Sequence, residues 1–121
     1  MIKVGPMVEG VQVVEIYGPF TERVRMEFIS MINQVFQVYP HPFLVLDVEK
    51  LTSISREGFQ AITTAIYRVS DNRGKMVLAC SEHQSIRKTL ESWRSSITFD
   101  IYDSAALAVK VLQGQVPPIP A

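Results

Sequence analysis

The run FLVLDV, Phe43 to Val48, restricts the fold more than any other stretch, because five of its six residues are apolar. Six residues are too few for a typical buried helix, and Pro42 stands directly before them. Apolar side chains on both faces of a strand must be covered on both faces. That is the situation of an interior strand in a parallel sheet with helices on either side. KMVLAC, Lys75 to Cys80, repeats the pattern.

Helical stripes stand where such a sheet needs its crossovers. Val24, Phe28, Met31/Ile32, Val35 and Tyr39 keep a three-four spacing, as do Phe59, Ile62, Ile66 and Val69. Ile86, Leu90 and Trp93 form a third stripe, and Leu107, Val111 and Leu112 a fourth. Thr21 is placed to cap the first helix, which Pro40 and Pro42 end, and Asp103 or Ser104 to cap the last. Asp71-Asn72-Arg73-Gly74 has the composition of a turn.

At the front, VQVVEIY (Val11–Tyr17) is β-branched and pairs with Ile2–Met7 across a Glu9-Gly10 turn, and Gly18-Pro19 breaks it. ITFDIY, Ile97 to Tyr102, reads as a short late strand. The expectation is one α/β domain over residues 1–113, with a mostly parallel mixed sheet, an N-terminal antiparallel hairpin and about four helices. The Pro-rich tail, residues 114–121, is expected to be extended and loose.

Charge and composition remove several functions. Twelve basic and twelve acidic residues cancel without a basic stripe, so neither a nucleic acid nor an anionic membrane surface is an expected partner. Cys80 is the single cysteine, which excludes an intrachain disulfide. No apolar run approaches the roughly 20 residues that span a bilayer, and MIKVGPMVEG lacks the core of a signal peptide. A cytoplasmic protein without membrane insertion is expected; a homo-oligomer is left open.

Neither phosphate-cradling glycine motif occurs, and His41 and His83 stand far apart without metal-ligand spacing. No cofactor and no metal are expected. Cys80-Ser81-Glu82-His83 is the best arrangement for nucleophilic chemistry. A buried structural cysteine at a strand end is the stronger reading, so no enzyme is expected.

Chemistry concentrates instead in LTSISREGF, Leu51 to Phe59, a junction leading from the apolar strand to a helix. Ser53 or Ser55 can cap that helix, and Glu57 in its first turn complements the dipole by about 0.3–1 kcal/mol. Gly58 is not explained by either, since it weakens a helix by roughly 1 kcal/mol relative to Ala. It points to close backbone packing or to a surface kept open for something to approach.

Taken whole, VLDVEKLTSISREGFQAI (Val45–Ile62) resembles the central motif of STAS domains, the anti-sigma-factor antagonist family, which runs roughly VLDLSGVTFIDSSGLGAL. Val45, Leu46, Asp47, Thr52, Ile54, Gly58 and Ala61 coincide without a gap. GKMVLAC, SIRKTLES and ITFDIYDSAALAV are similar to the family's later strand, helix and closing strand-helix, so the resemblance covers about residues 8–113.

The resemblance implies a non-catalytic module that docks, through this motif, on an anti-sigma factor that is also a serine kinase. In the family the serine before the motif glycine is phosphorylated and the complex separates. Here Glu57 holds that position, a fixed carboxylate in place of an acceptor. Three readings follow: docking through Ser53, Ser55, Arg56, Glu57 and Gly58 without the usual switch; phosphorylation moved to Ser55, Ser53 or Thr52; or service as an accessory subunit of an ATP-driven membrane transporter. Arg56 is the expected polar anchor, and Gly58 the point of close approach.

Overall fold

The computed structural model describes residues 1–93 and 99–116. Strands β1 (Ile2–Val8) and β2 (Val11–Ile16) form an antiparallel hairpin. The chain then runs through β3 (Gly18–Phe20), α1 (Glu22–Val38), β4 (Phe43–Asp47), β5 (Leu51–Ile54) and α2 (Arg56–Asp71). It closes with β6 (Lys75–Ala79), α3 (Ser85–Trp93), β7 (Ile101–Tyr102) and α4 (Ala105–Gln113). The main sheet has the order β1-β2-β4-β6-β7, parallel throughout except for the first pair. This is the mixed α/β architecture expected from the strand and helix periods.

Alternation along β4 and β6 explains their unbroken hydrophobicity. Leu44, Leu46, Met76 and Leu78 face a core shared with Phe28, Ile32, Phe59, Ile62 and Leu90 of α1, α2 and α3. Phe43, Val45, Val77 and Ala79 face the other way, against Ala108 and Leu112 of α4. Three helices therefore cover one face and a single helix the other. At about 1.5–3 kcal/mol per fully buried side chain, losing either cover would leave half of each strand facing water.

Several local expectations are corrected. Gly18-Pro19 does not simply end a strand: Gly18, at φ +75°, turns the chain into β3, which pairs in parallel with β5 as a separate two-stranded sheet. Leu51–Ile54, read from the sequence as part of a strand-to-helix junction, is thus itself a strand. On α4 it is Ala108, not Leu107, that joins Leu112 in the core, because a shift of one residue turns a helix by about 100°; Leu107 is exposed. Tyr39 is also exposed, since the helix ends before it. Gly114–Val116 do not run free: the Val116 N–H returns to Leu112 O at 3.2 Å and its side chain packs against the α4 side of the core. Ile97 and Thr98, and the tail from residue 117 onward, lie outside the described residues.

The turn from α2 into β6 depends on a missing side chain. A Cβ on Gly74 would sit 2.0 Å from the backbone oxygen of Pro42, which also accepts the Lys75 N–H at 3.0 Å. A backbone atom held in a sheet ladder cannot retreat as a side chain can. Gly74→Ala is therefore expected to cost more than the ~1–3 kcal/mol of ordinary overpacking, read as a lower urea midpoint with an unchanged slope.

Candidate functional site

Parallel pairing of β3 with β5 sets two helix starts side by side, since each strand runs directly into a capped helix. Thr21 Oγ1 accepts the Val24 N–H at 3.3 Å at the head of α1. Ser55 Oγ accepts the Gly58 N–H at 3.1 Å at the head of α2. Of the two serines that could have capped α2, Ser55 does so. Thr52 and Ser53 lie exposed on β5 instead.

Arg56 and Glu57 are exposed in the first turn of α2. The Arg56 guanidinium lies over the Trp93 ring, 5.9 Å from its centre. Trp93 in turn packs on Phe59 (5.0 Å between ring centres), which meets Phe99 edge-on at 5.6 Å. This aromatic chain joins the head of α2 to the tail of α3 and braces Arg56 from below. In the sequence Trp93 was visible only as part of a helical stripe, core or partner surface; nothing local ties it to a residue 37 positions earlier. Glu57 enters no ion pair with the described residues and projects beside the amides that make the helix start positive.

Gly58 has a different role from the one expected of an open surface. It is buried, and a Cβ there would lie 2.6 Å from Phe20 Cδ1 and 3.1 Å from Ile54 Cγ1. Of the two explanations for the glycine, close packing is the one found. Phe20 of β3 occupies the space, so a partner cannot. Gly58 sets the height of the helix start, and Ser55, Arg56 and Glu57 present the surface.

Behind the junction, two carboxylates are held in opposite ways. Burial is the largest influence on Asp47 and raises its pKa; the Glu49 N–H it accepts at 3.0 Å works against this, and the charge of Glu15 adds to the rise. Glu49 accepts the Ser81 O–H and N–H, both at 2.6 Å, and these bonds hold its pKa below the ordinary value. Glu49 thereby clamps the β4–β5 turn to the β6–α3 loop, a role no motif announced.

Cys80 is fully buried, and burial together with the Glu49 charge pushes its thiol up to about 11. A thiol in that state is a poor nucleophile at neutral pH. His83 is exposed in the following turn, and His41 Nδ1 lies 2.8 Å from Asn72 O. Among the described residues no cluster of His, Cys, Asp and Glu could hold a metal ion. No helix among them is long and apolar enough to cross a membrane.

No family model and no curated protein matches the chain by sequence. Its solved structural neighbours are clear. The anti-sigma factor antagonist SpoIIAA, in its unphosphorylated form, superposes with a TM-score of 0.73 at 13% identity, over 94% of this chain and 99% of that one. The chain has the STAS fold. An anti-sigma factor antagonist from Mycobacterium paratuberculosis follows at 0.72 and 16% identity, covering 93% and 95% of the two chains. A sulfate transporter family protein from Wolinella succinogenes gives 0.63 at 20% identity, covering 94% and 93%. The chain therefore shares its architecture with anti-sigma factor antagonists and with a sulfate transporter family protein alike.

Two outcomes are expected at the junction. Ser55→Ala removes the cap of α2 and lowers stability by about 0.5–2 kcal/mol, whereas Ser53→Ala on the exposed side of β5 changes it by less than about 0.5 kcal/mol; urea unfolding of the two variants gives the comparison. Asp47 has a raised folded-state pKa, so its charged form penalises the fold above that pKa, and the penalty disappears as pH falls through it. Asp47→Asn, which keeps the acceptor oxygen, is expected to raise stability at neutral pH and give no gain in acid. Glu49, with a depressed pKa, has the opposite sign: Glu49→Gln loses stability at neutral pH, and the loss shrinks as pH falls through the folded pKa.

Proposed function

We propose that this STAS domain is a non-catalytic, cytoplasmic docking module of the anti-sigma-factor-antagonist kind. Its contact surface is the β5–α2 junction: Ser53, Ser55, Arg56 and Glu57, seated by Gly58. The observation that carries the reading is the exposure of Glu57 at the head of α2, where the resembling motif has its phospho-acceptor serine. A carboxylate there is one permanent negative charge beside the positive end of a helix. It imitates part of a phosphate's charge and cannot be removed by a phosphatase. Arg56, braced on Trp93, offers the planar donor that is favoured in interface cores.

Two further readings have their own support. Ser55, Ser53 and Thr52 are all exposed hydroxyl residues at the same junction and remain available as relocated phosphorylation sites. The likeness to a sulfate transporter family protein supports service as an accessory subunit of a transport complex.

Affinity capture from the native host with wild type and Glu57→Ser side by side, with mass spectrometry of the bound protein, tests the docking reading. Glu57→Ser is expected to change recovery of one specific partner, an anti-sigma factor or serine kinase, while shifting stability by less than ~1 kcal/mol. A variant that recovers the same partner equally and melts far lower would reduce Glu57 to a helix-end charge. Incubation with the recovered kinase and ATP, read by intact mass, shows whether a hydroxyl at the junction is modified.

A further inference from the structure

Strand β1 is the outer strand of the main sheet, and part of its free edge is open. Met1 and Tyr17 exchange two backbone bonds, Tyr17 N–H to Met1 O at 2.8 Å and the Met1 amine to Tyr17 O at 2.9 Å. Bonded and non-bonded pairs alternate in an antiparallel ladder. With Ile2 opposite Ile16, Lys3 opposite Glu15 and Val4 opposite Val14, the Lys3 backbone faces β2 and the N–H and C=O groups of Ile2 and Val4 point away from the sheet. Beyond them Pro6 brings no N–H, and the register shifts between Val4 and Met7. The open edge is thus short and has a fixed end.

Beside it, a groove of about 450 Å³ lies between β1 and α1, lined by Ile2, Val4, Met26, Glu27, Ser30 and Gln34 among others. Met26 is 58% exposed and Val4 47%, with Met1 exposed nearby. Met26, Ser30 and Gln34 recur every four residues along α1, a stripe without charge on a helix whose first turn carries several.

We propose that this face pairs with a second copy of the chain, β1 edge to β1 edge and antiparallel, about a two-fold axis at Val4. In that register each Val4 gives its N–H to the carbonyl of the other, and Lys3 stands opposite Gly5 of the second copy. A register centred on Lys3 would set two ammonium groups directly opposite, which is destabilising, so the charge selects the Val4 register. The axis runs through the sheet, so both α1 helices lie on the same face and run antiparallel across the seam. Their Met26–Ser30–Gln34 stripes then face each other, with Glu27, which also lines the groove, paired to Arg23 of its own helix at 3.6 Å, and the flexible Met26 side chains of both copies fill the joined grooves. An unrelated strand could satisfy the edge amides but would leave Met26 in water; a second copy brings its own helix to cover it.

Sedimentation equilibrium of the full chain over a concentration series tests this. The expected result is a shift from 13.6 kDa toward twice that mass, with amide exchange at Ile2 and Val4 slowing as the dimer fills. Val4→Glu and Met26→Lys alter exposed positions, so both should fold with unchanged circular dichroism and remain at the single-chain mass. Glu57→Ser should dimerise like wild type, which separates this face from the α2 junction. A wild-type chain that stays at 13.6 kDa up to high micromolar concentration overturns the proposal. So does a dimer in which the Ile2 and Val4 amides exchange as in the single chain, or one that survives both substitutions.

Discussion

Covering β4 on both faces is the constraint from which the rest of the molecule follows. A strand whose alternate residues belong to two separate cores cannot stand at an edge or face solvent. Its neighbours β2 and β6 must run beside it in parallel, and parallel neighbours need crossover helices. The helices divide unequally here, the three crossovers on the Leu44–Leu46 face and α4, which follows the last strand, alone on the Phe43–Val45 face. Helix starts then gather at the carboxyl ends of the strands, the place where open α/β sheets expose chemistry.

Between strand and helix this chain inserts a second device. It leaves β2 through β3 into α1, and leaves β4 through β5 into α2, and β3 pairs with β5. The two exits are thereby tied together, and Phe20 from the first fills the space left by Gly58 in the second. Exposure of Ser55, Arg56 and Glu57 is a consequence of packing underneath them. The junction is rigid because its floor is core: Phe20 meets Phe28 edge-on at 6.1 Å, and Phe59 packs tilted on Trp93 and edge-on against Phe99.

The fold was largely legible because its signals are periodic. All-apolar runs gave β4 and β6, three-four spacing gave the helices, and the Glu9-Gly10 turn gave the hairpin. What stayed hidden was non-local. β5 is a strand only because β3 lies beside it, and neither segment of three or four residues declares a partner in sequence. Gly58 could be recognised as unusual from propensity alone, but Phe20, 38 positions earlier, decides what the glycine is for. Arg56 over Trp93 and Glu49 on Ser81 are likewise meetings of distant residues. Leu107 was misplaced for a local reason, since an apolar helix such as α4 offers more hydrophobic positions than one face can bury.

The chemistry of the junction also ranks the hydroxyls near Glu57. Thr52 and Ser53 project from β5, outside the first turn of α2. Ser55 alone sits at the positive end of α2, with its Oγ already accepting an amide. A phosphoryl group there would meet the remaining free amides of the first turn, an interaction favourable by about 0.3–1 kcal/mol when exposed. It would also add about −1.5 to −2 charges two residues from the Glu57 carboxylate. Under the docking reading a fixed carboxylate sets the resting charge, and only a modification on Ser55 could raise it at the same helix end. Regulation at this surface would then be a step from one charge to roughly three, in place of a step from none to two.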